Sequence, residues 1–114
     1  MKIASLKEFR AMPSGTLFMK YQPCVFDTLC AKSETLDSDF LYENIVYEID
    51  CTGSEDFVEK LRNAEEKGNS LLMDFDCAAR DGAYQDAQLF AVYERKDIEM
   101  LIDKLNRCKA QAYA

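Results

Sequence analysis

Three observations predict an α+β domain with a largely antiparallel β-sheet of four to five strands, two main helices and a short N-terminal helix. Apolar residues recur at helical spacing in two long segments, and they alternate at strand spacing in several short ones. The two kinds of segment follow the order α-β-β-β-α-β-β-α, with short links and no regular β-α-β alternation, so the sheet is expected to be antiparallel and covered by the two helices. No repeat, low-complexity tract or linker divides residues 1–114, and a chain of this length buries roughly two thirds of its unfolded surface as one domain.

Ser5-Leu6-Lys7-Glu8 has the form of a capping box, in which serine and glutamate each satisfy an unpaired amide at a helix start. Leu6 and Phe9 share a face of that helix, and Pro13 ends it at or before Met12. Pro13-Ser14-Gly15 is a turn. Strand character runs from Thr16 to Gln22, is interrupted by Pro23, and resumes from Cys24 to Lys32; two strands or one bent strand fit equally. Ser33 to Asp39 is polar and turn-forming. Phe40-Leu41-Tyr42 and Ile45 to Ile49 follow as strand, with Ile45, Tyr47 and Ile49 on one face and Val46, Glu48 and Asp50 on the other.

Thr52-Gly53-Ser54-Glu55 reads as a second capping box, with Asp56 placed where the helix dipole favours negative charge. Phe57, Val58, Leu61 and Ala64 then form a single stripe expected to be buried, and Gly68 stops the helix. Leu71 to Cys77 alternates as a half-buried strand, and Gln88 to Glu94 is the next. The ten residues Ala78 to Ala87 between them make a loop longer than the usual hairpin connection, a place where a site can be built. Ile98, Leu101, Ile102, Leu105 and Cys108 lie on one face of a closing helix.

The net charge of −7 is local. Nine acids and one lysine fall between Asp27 and Asp56, while the other residues hold twelve acids and thirteen bases. Glu55 and Asp56 are explained by the helix start and Asp27 by an earlier strand. Glu34, Asp37, Asp39, Glu43, Glu48 and Asp50 remain as candidate partner-binding residues, since a field of one sign steers a protein toward a basic surface and repels nucleic acid. Charges on loops and outward strand faces also serve solubility. Arg80 and Tyr84, residue types enriched at interface anchors, mark the long loop as a second recognition tip.

Enzymatic chemistry finds little support. The chain has no histidine, which removes the commonest general base and the imidazole metal ligand. Five scattered cysteines without a C-x-x-C pair read as reduced thiols, and no catalytic residue, metal site or cofactor is expected. Asp74, Asp76, Asp81 and Asp86 invite a hard-cation reading, yet Ala78 and Ala79 stand where an EF-hand needs a ligand and its glycine. No signal peptide or membrane-length apolar run is seen, so a cytoplasmic location is expected.

Phe9 to Phe26, reading Phe-Arg-Ala-Met-Pro-Ser-Gly-Thr-Leu-Phe-Met-Lys-Tyr-Gln-Pro-Cys-Val-Phe, and Met73 to Ile98, including Asp74-Phe75-Asp76-Cys77, Arg80-Asp81-Gly82 and Gln88 to Arg95, resemble small uncharacterised proteins encoded by bacteriophages and prophages of Gram-negative bacteria. The resemblance implies an accessory protein acting inside an infected bacterium and brings no assigned reaction. The expectation is a non-enzymatic acidic protein that binds a basic host surface, such as a nucleic-acid-binding site, and extends to an inhibitor of a host defence system such as CRISPR. A carboxylate metal-binding protein or enzyme around residues 74–86, and a homodimeric structural or assembly protein, are the alternatives. Direct nucleic-acid binding and membrane insertion are not expected.

Overall fold

The computed structural model describes residues 1–36, 39–45, 48–76, 78–81 and 87–113, with residues 78–81 as backbone alone. The elements are β1 (Lys2–Ser5), α1 (Leu6–Arg10), β2 (Leu17–Gln22), β3 (Val25–Phe26), β4 (Cys30–Leu36), β5 (Asp39–Asn44), α2 (Ser54–Lys67), β6 (Ala78–Asp81), β7 (Leu89–Val92) and α3 (Arg95–Ala112). The strands form one sheet in the order β1-β7-β2-β4-β5-β6, with β3 folded back on β2, and every pairing is antiparallel. The α+β class is therefore as the sequence predicts. Strands beyond the expected four to five come from short pieces: β1 adds to the edge of β7, and β3 is a two-residue return.

That return decides between one bent strand and two. Gln22 pairs with Val25, leaving Pro23 and Cys24 as a two-residue turn in which Cys24 has φ of 65°. Proline presets the first corner of such a turn, and the second requires positive φ. The Tyr21 hydroxyl accepts from the Cys24 amide at 3.2 Å.

Strand alternation places Ala4, Phe18, Cys30, Phe40, Phe90 and Val92 on one face. α1 lies over that face and inserts Leu6 and Phe9. Phe9 is central: its ring stacks on Phe90 at 4.2 Å and 6°, and meets Phe18 at 4.6 Å and Phe40 at 5.0 Å. Stacked and edge-on contacts of this kind add to the value of area burial. The Ser5–Glu8 capping box forms in full, so α1 starts where the sequence places it.

Four expectations need correction. Ser33 to Leu36, read as a polar turn, continues β4, because pairing with β5 gives Thr35 and Leu36 partners in Phe40 and Asp39. Of Ile45 to Ile49, expected as strand, the described Ile45 and Glu48 lie outside any strand, Val46 and Tyr47 lie outside the described residues, and Ile49 forms an isolated antiparallel bridge with Met73, flanked by Asp50 N–H to Leu72 O at 2.8 Å and Asp74 N–H to Glu48 O at 3.1 Å. The expected strand at Leu71 to Cys77 contracts to that same bridge, and the strand lies instead at Ala78–Asp81, inside the expected loop, because it can pair with the open edge of β5 from Phe40 to Glu43. Cross-strand pairing here overrides the weak strand propensity of Ala-Ala-Arg-Asp.

The fourth concerns the helices. α2 ends at Gly68 in the left-handed region at φ 70°, with its amide on Ala64 O, as the sequence predicts. The Thr52 capping box does not form: Gly53 is the N-cap in extended backbone, and the Asp56 carboxylate instead accepts from the Thr52 amide at 2.9 Å. That bond, followed by the Lys60 ammonium, holds the Asp56 carboxyl below its usual range. Neither α2 nor α3 contributes a buried residue, and the expected buried stripe of α2 is exposed, with Phe57, Val58 and Leu61 at 41%, 52% and 38%. Among the described residues, α1 is the helix that contributes buried side chains to the sheet's core. No helix among the described residues is long and apolar enough to cross a membrane.

Candidate functional site

The acid-rich segment folds mainly into the β4–β5 hairpin and the chain leaving it. In register, Leu36 faces Asp39 at the turn end, and Ala31 faces Glu43 and Cys30 faces Asn44 at the open end. A bulge lies between Lys32 and Thr35. The two ends are roughly 16 Å apart, five residues at strand rise. The hairpin thus separates the acids into two groups.

At the turn end Glu34 is exposed, whereas Asp39 is 7% exposed and its carboxylate accepts from the Phe40 amide at 2.8 Å. Asp37 lies outside the described residues. At the open end Glu43 projects from the face opposite Phe40, Tyr42 and Asn44 and is half-buried. Glu48 accepts from the Asn44 side-chain amide at 2.7 Å. Asp50 is exposed, beyond the buried Ile49, and its carbonyl accepts from Lys60 Nζ at 2.7 Å. Lys60 also pairs with Asp56 at 3.1 Å, so one lysine ties the Asp50 backbone to the first turn of α2. Glu43 and the Asn44–Glu48 hydrogen bond therefore lie at the open end of the hairpin, with Glu43 and Asn44 on opposite faces of β5, and the Asp50 backbone is held through Lys60 to α2. The Arg80 side chain, Tyr84 and Asp86 lie outside the described residues, as do Val46, Tyr47 and Cys77.

Beside this end is a cleft of about 180 Å³ lined by Phe18, Lys20, Asp27, Thr28, Cys30, Tyr42 and Asn44. At its base the Cys30 thiol donates to Asn44 Oδ1 at 3.1 Å, and Asn44 Nδ2 donates to Glu48, a thiol–amide–carboxylate chain. Sequence reading missed this chain. Its available signal was register: inward positions equidistant from the hairpin turn face each other. Burial pushes the Cys30 thiol up to about 11, with Asp27 adding to the effect, so the sulfur is protonated at neutral pH. An amide cannot accept a proton in its place, and a thiol is a poor nucleophile. The chain locks the open end of the hairpin, and the cleft is smaller than the 300–1,000 Å³ typical of ligand sites.

Of the carboxylates suggested as cation ligands, Asp74 is engaged locally: its Oδ1 accepts from the Asp76 amide at 2.9 Å in a turn. No group of three or more histidine, cysteine or acidic side chains able to hold a metal occurs among the described residues. Cys24, Cys30, Cys51 and Cys108 are free thiols. Lys32 is buried beside the aromatic cluster; its ammonium donates to Thr35 Oγ1 at 2.6 Å and Ser33 O at 3.2 Å and sits 5.9 Å from the Phe9 ring centre. Burial lowers its pKa.

Comparison with protein-family models, curated proteins and solved structures found no match, so geometry and charge carry the functional reading.

Proposed function

We propose that this is a non-enzymatic binding protein that uses the acidic open end of its β4–β5 hairpin against a basic surface of a partner protein. The observation that supports it most is the fixing of acids where the chain leaves the hairpin: Glu43 by strand pairing, Glu48 by the Asn44 hydrogen bond and the Asp50 backbone by Lys60. Acids held by backbone pairing present charge with little ordering cost on binding, which favours recognition of spaced lysines and arginines. Surfaces of that kind bind phosphates in nucleic-acid-handling proteins. The resemblance to phage and prophage proteins sets this reading in the cytoplasm of an infected bacterium, with a host defence factor such as a CRISPR effector as the partner class.

The test is affinity capture from infected host lysate across a salt series. Capture of a basic protein at low ionic strength, lost as salt rises and abolished by Glu43→Lys with Asp50→Lys, supports the reading. Glu48→Gln keeps an acceptor for Asn44 and separates charge from structure. A partner retained at high salt by the doubly reversed protein counts against it.

A further inference from the structure

From the two uncovered helices we infer that the chain is an obligate homodimer, with α3 of each copy docked on α2 of the other. The surface area gives the first argument. A compact 13.1 kDa monomer exposes about 6,400 Å², whereas this chain exposes 8307 Å². Its radius of gyration is 16.5 Å, against about 13 Å for a compact domain of this length. The excess is about 1,900 Å² per copy, so a pair that buries it removes about 3,800 Å², within the range of obligate homodimers and above that of standard transient complexes.

The excess is apolar where the helices present it. α2 shows Phe57, Val58 and Leu61, and α3 shows Ile102 and Leu105 at 54% and 59% exposure on the same face as half-buried Ile98, Leu101 and Cys108. Isolated helices of these lengths are marginal in water without such a face buried. A partner needed for the chain's own stability must accompany it at all times, and a second copy meets that condition.

Charge selects the pairing. α2 carries five acids and three bases, and α3 carries five bases and three acids. Like helices would bring like charge together, whereas α2 against α3 of the second copy matches opposite net charges twice in one two-fold interface. Glu65 lies one turn beyond Leu61, and Lys109 one turn beyond Leu105, so these two border the apolar stripes.

Sedimentation equilibrium of the full chain from 1 to 200 µM tests this; these concentrations are approximate working values chosen to bracket ordinary homodimer affinities. The expected mass is about twice 13.1 kDa. Ile102→Asp with Leu105→Asp should raise the dissociation constant by on the order of 100-fold or more. Far-ultraviolet circular dichroism monitors folding, and loss of α3 signal on dissociation is consistent with the same scheme. Glu65→Lys and Lys109→Glu should each weaken association roughly tenfold, and combining them should restore it. A monomer across the whole range overturns the inference, as does a dimer unaffected by the double aspartate variant. Reversals that fail to compensate overturn the α2–α3 pairing. None of these substitutions touches Glu43, Glu48 or Asp50, so partner capture fails or survives independently.

Discussion

Phe9→Ala is the most informative stability test, because one side chain joins α1 to three strands. The ring is fully buried, stacks on Phe90 at 4.2 Å, and contacts Phe18 and Phe40. Truncating a buried phenylalanine costs about 3–5 kcal/mol through lost transfer energy and the cavity left behind. The upper end applies here. Three aromatic contacts are lost, each worth about 0.5–1.5 kcal/mol beyond area, and the space cannot collapse between a sheet and a five-residue helix. The buried side chains of α1 are Leu6 and Phe9, with a Thr35 Oγ1 hydrogen bond to Arg10 O at 2.9 Å at its end, and a helix so short has no independent stability. A loss of about 4–5 kcal/mol is a large share of the 5–15 kcal/mol typical of a domain. Urea unfolding followed by circular dichroism and tyrosine emission, at fixed protein concentration, reads the change. Phe75→Ala, at an exposed position, is the control and should cost under about 1 kcal/mol. A Phe9→Ala loss below about 2 kcal/mol, or equal losses in the two variants, would refute the central placement of Phe9.

Cys30 has its folded pKa raised above the unfolded value of about 9, so its contribution is intact below pH 9 and is lost as pH rises toward about 11. Cys30→Ala should flatten that alkaline fall in a pH series of urea melts. Lys32 has the opposite sign, since its folded pKa is lowered and the unfolded chain holds the extra proton; stability therefore rises with pH through the window below the unfolded lysine value. Lys32→Met removes that rise and should stabilise at neutral pH by about 1 kcal/mol, measured on the Cys30→Ala background. Cys24→Gly should raise stability by about 0.5–1 kcal/mol, because glycine accepts the positive φ of the Pro23–Cys24 turn without strain; an unchanged melting temperature would count against that turn geometry.

The elements legible in sequence were those whose signals are local. Ser5 and Glu8 close their own capping box, Gly68 supplies its own left-handed cap, and Leu89 to Val92 is apolar enough to be paired on both sides, between β1 and β2. What escaped depends on distant partners. Ala78–Asp81 becomes a strand because β5 has an open edge, and nothing in Ala-Ala-Arg-Asp announces it. Lys32 ends an expected strand segment, and nothing local announces its burial beside the Phe9 ring of α1. The acids at Glu43, Glu48 and Asp50 were legible as charge. Their placement needed the hairpin register, which sets Glu43 and Asn44 on opposite faces and carries Glu34 to the far end.

The buried α2 stripe expected from sequence is wrong for the single chain and physically informative for that reason. A 3.6-residue apolar period reports that a face needs cover, without stating which molecule covers it. Here, among the described helices, α1 supplies the buried side chains that meet the sheet's aromatic core, and two longer helices retain exposed apolar stripes. Their opposite net charges supply the missing direction, because a self-complementary pair needs each helix to meet its unlike neighbour. The hairpin acids are separate from those stripes, which lets a two-fold assembly present two copies of the acidic end at once. Such a dimer would bind a partner with paired basic sites more tightly than either end alone, and a heterodimer of one unaltered copy and one Glu43→Lys, Asp50→Lys copy should lose on the order of 10²-fold or more in apparent affinity for it. A heterodimer that binds as tightly as the unaltered dimer would show that the acidic ends act singly.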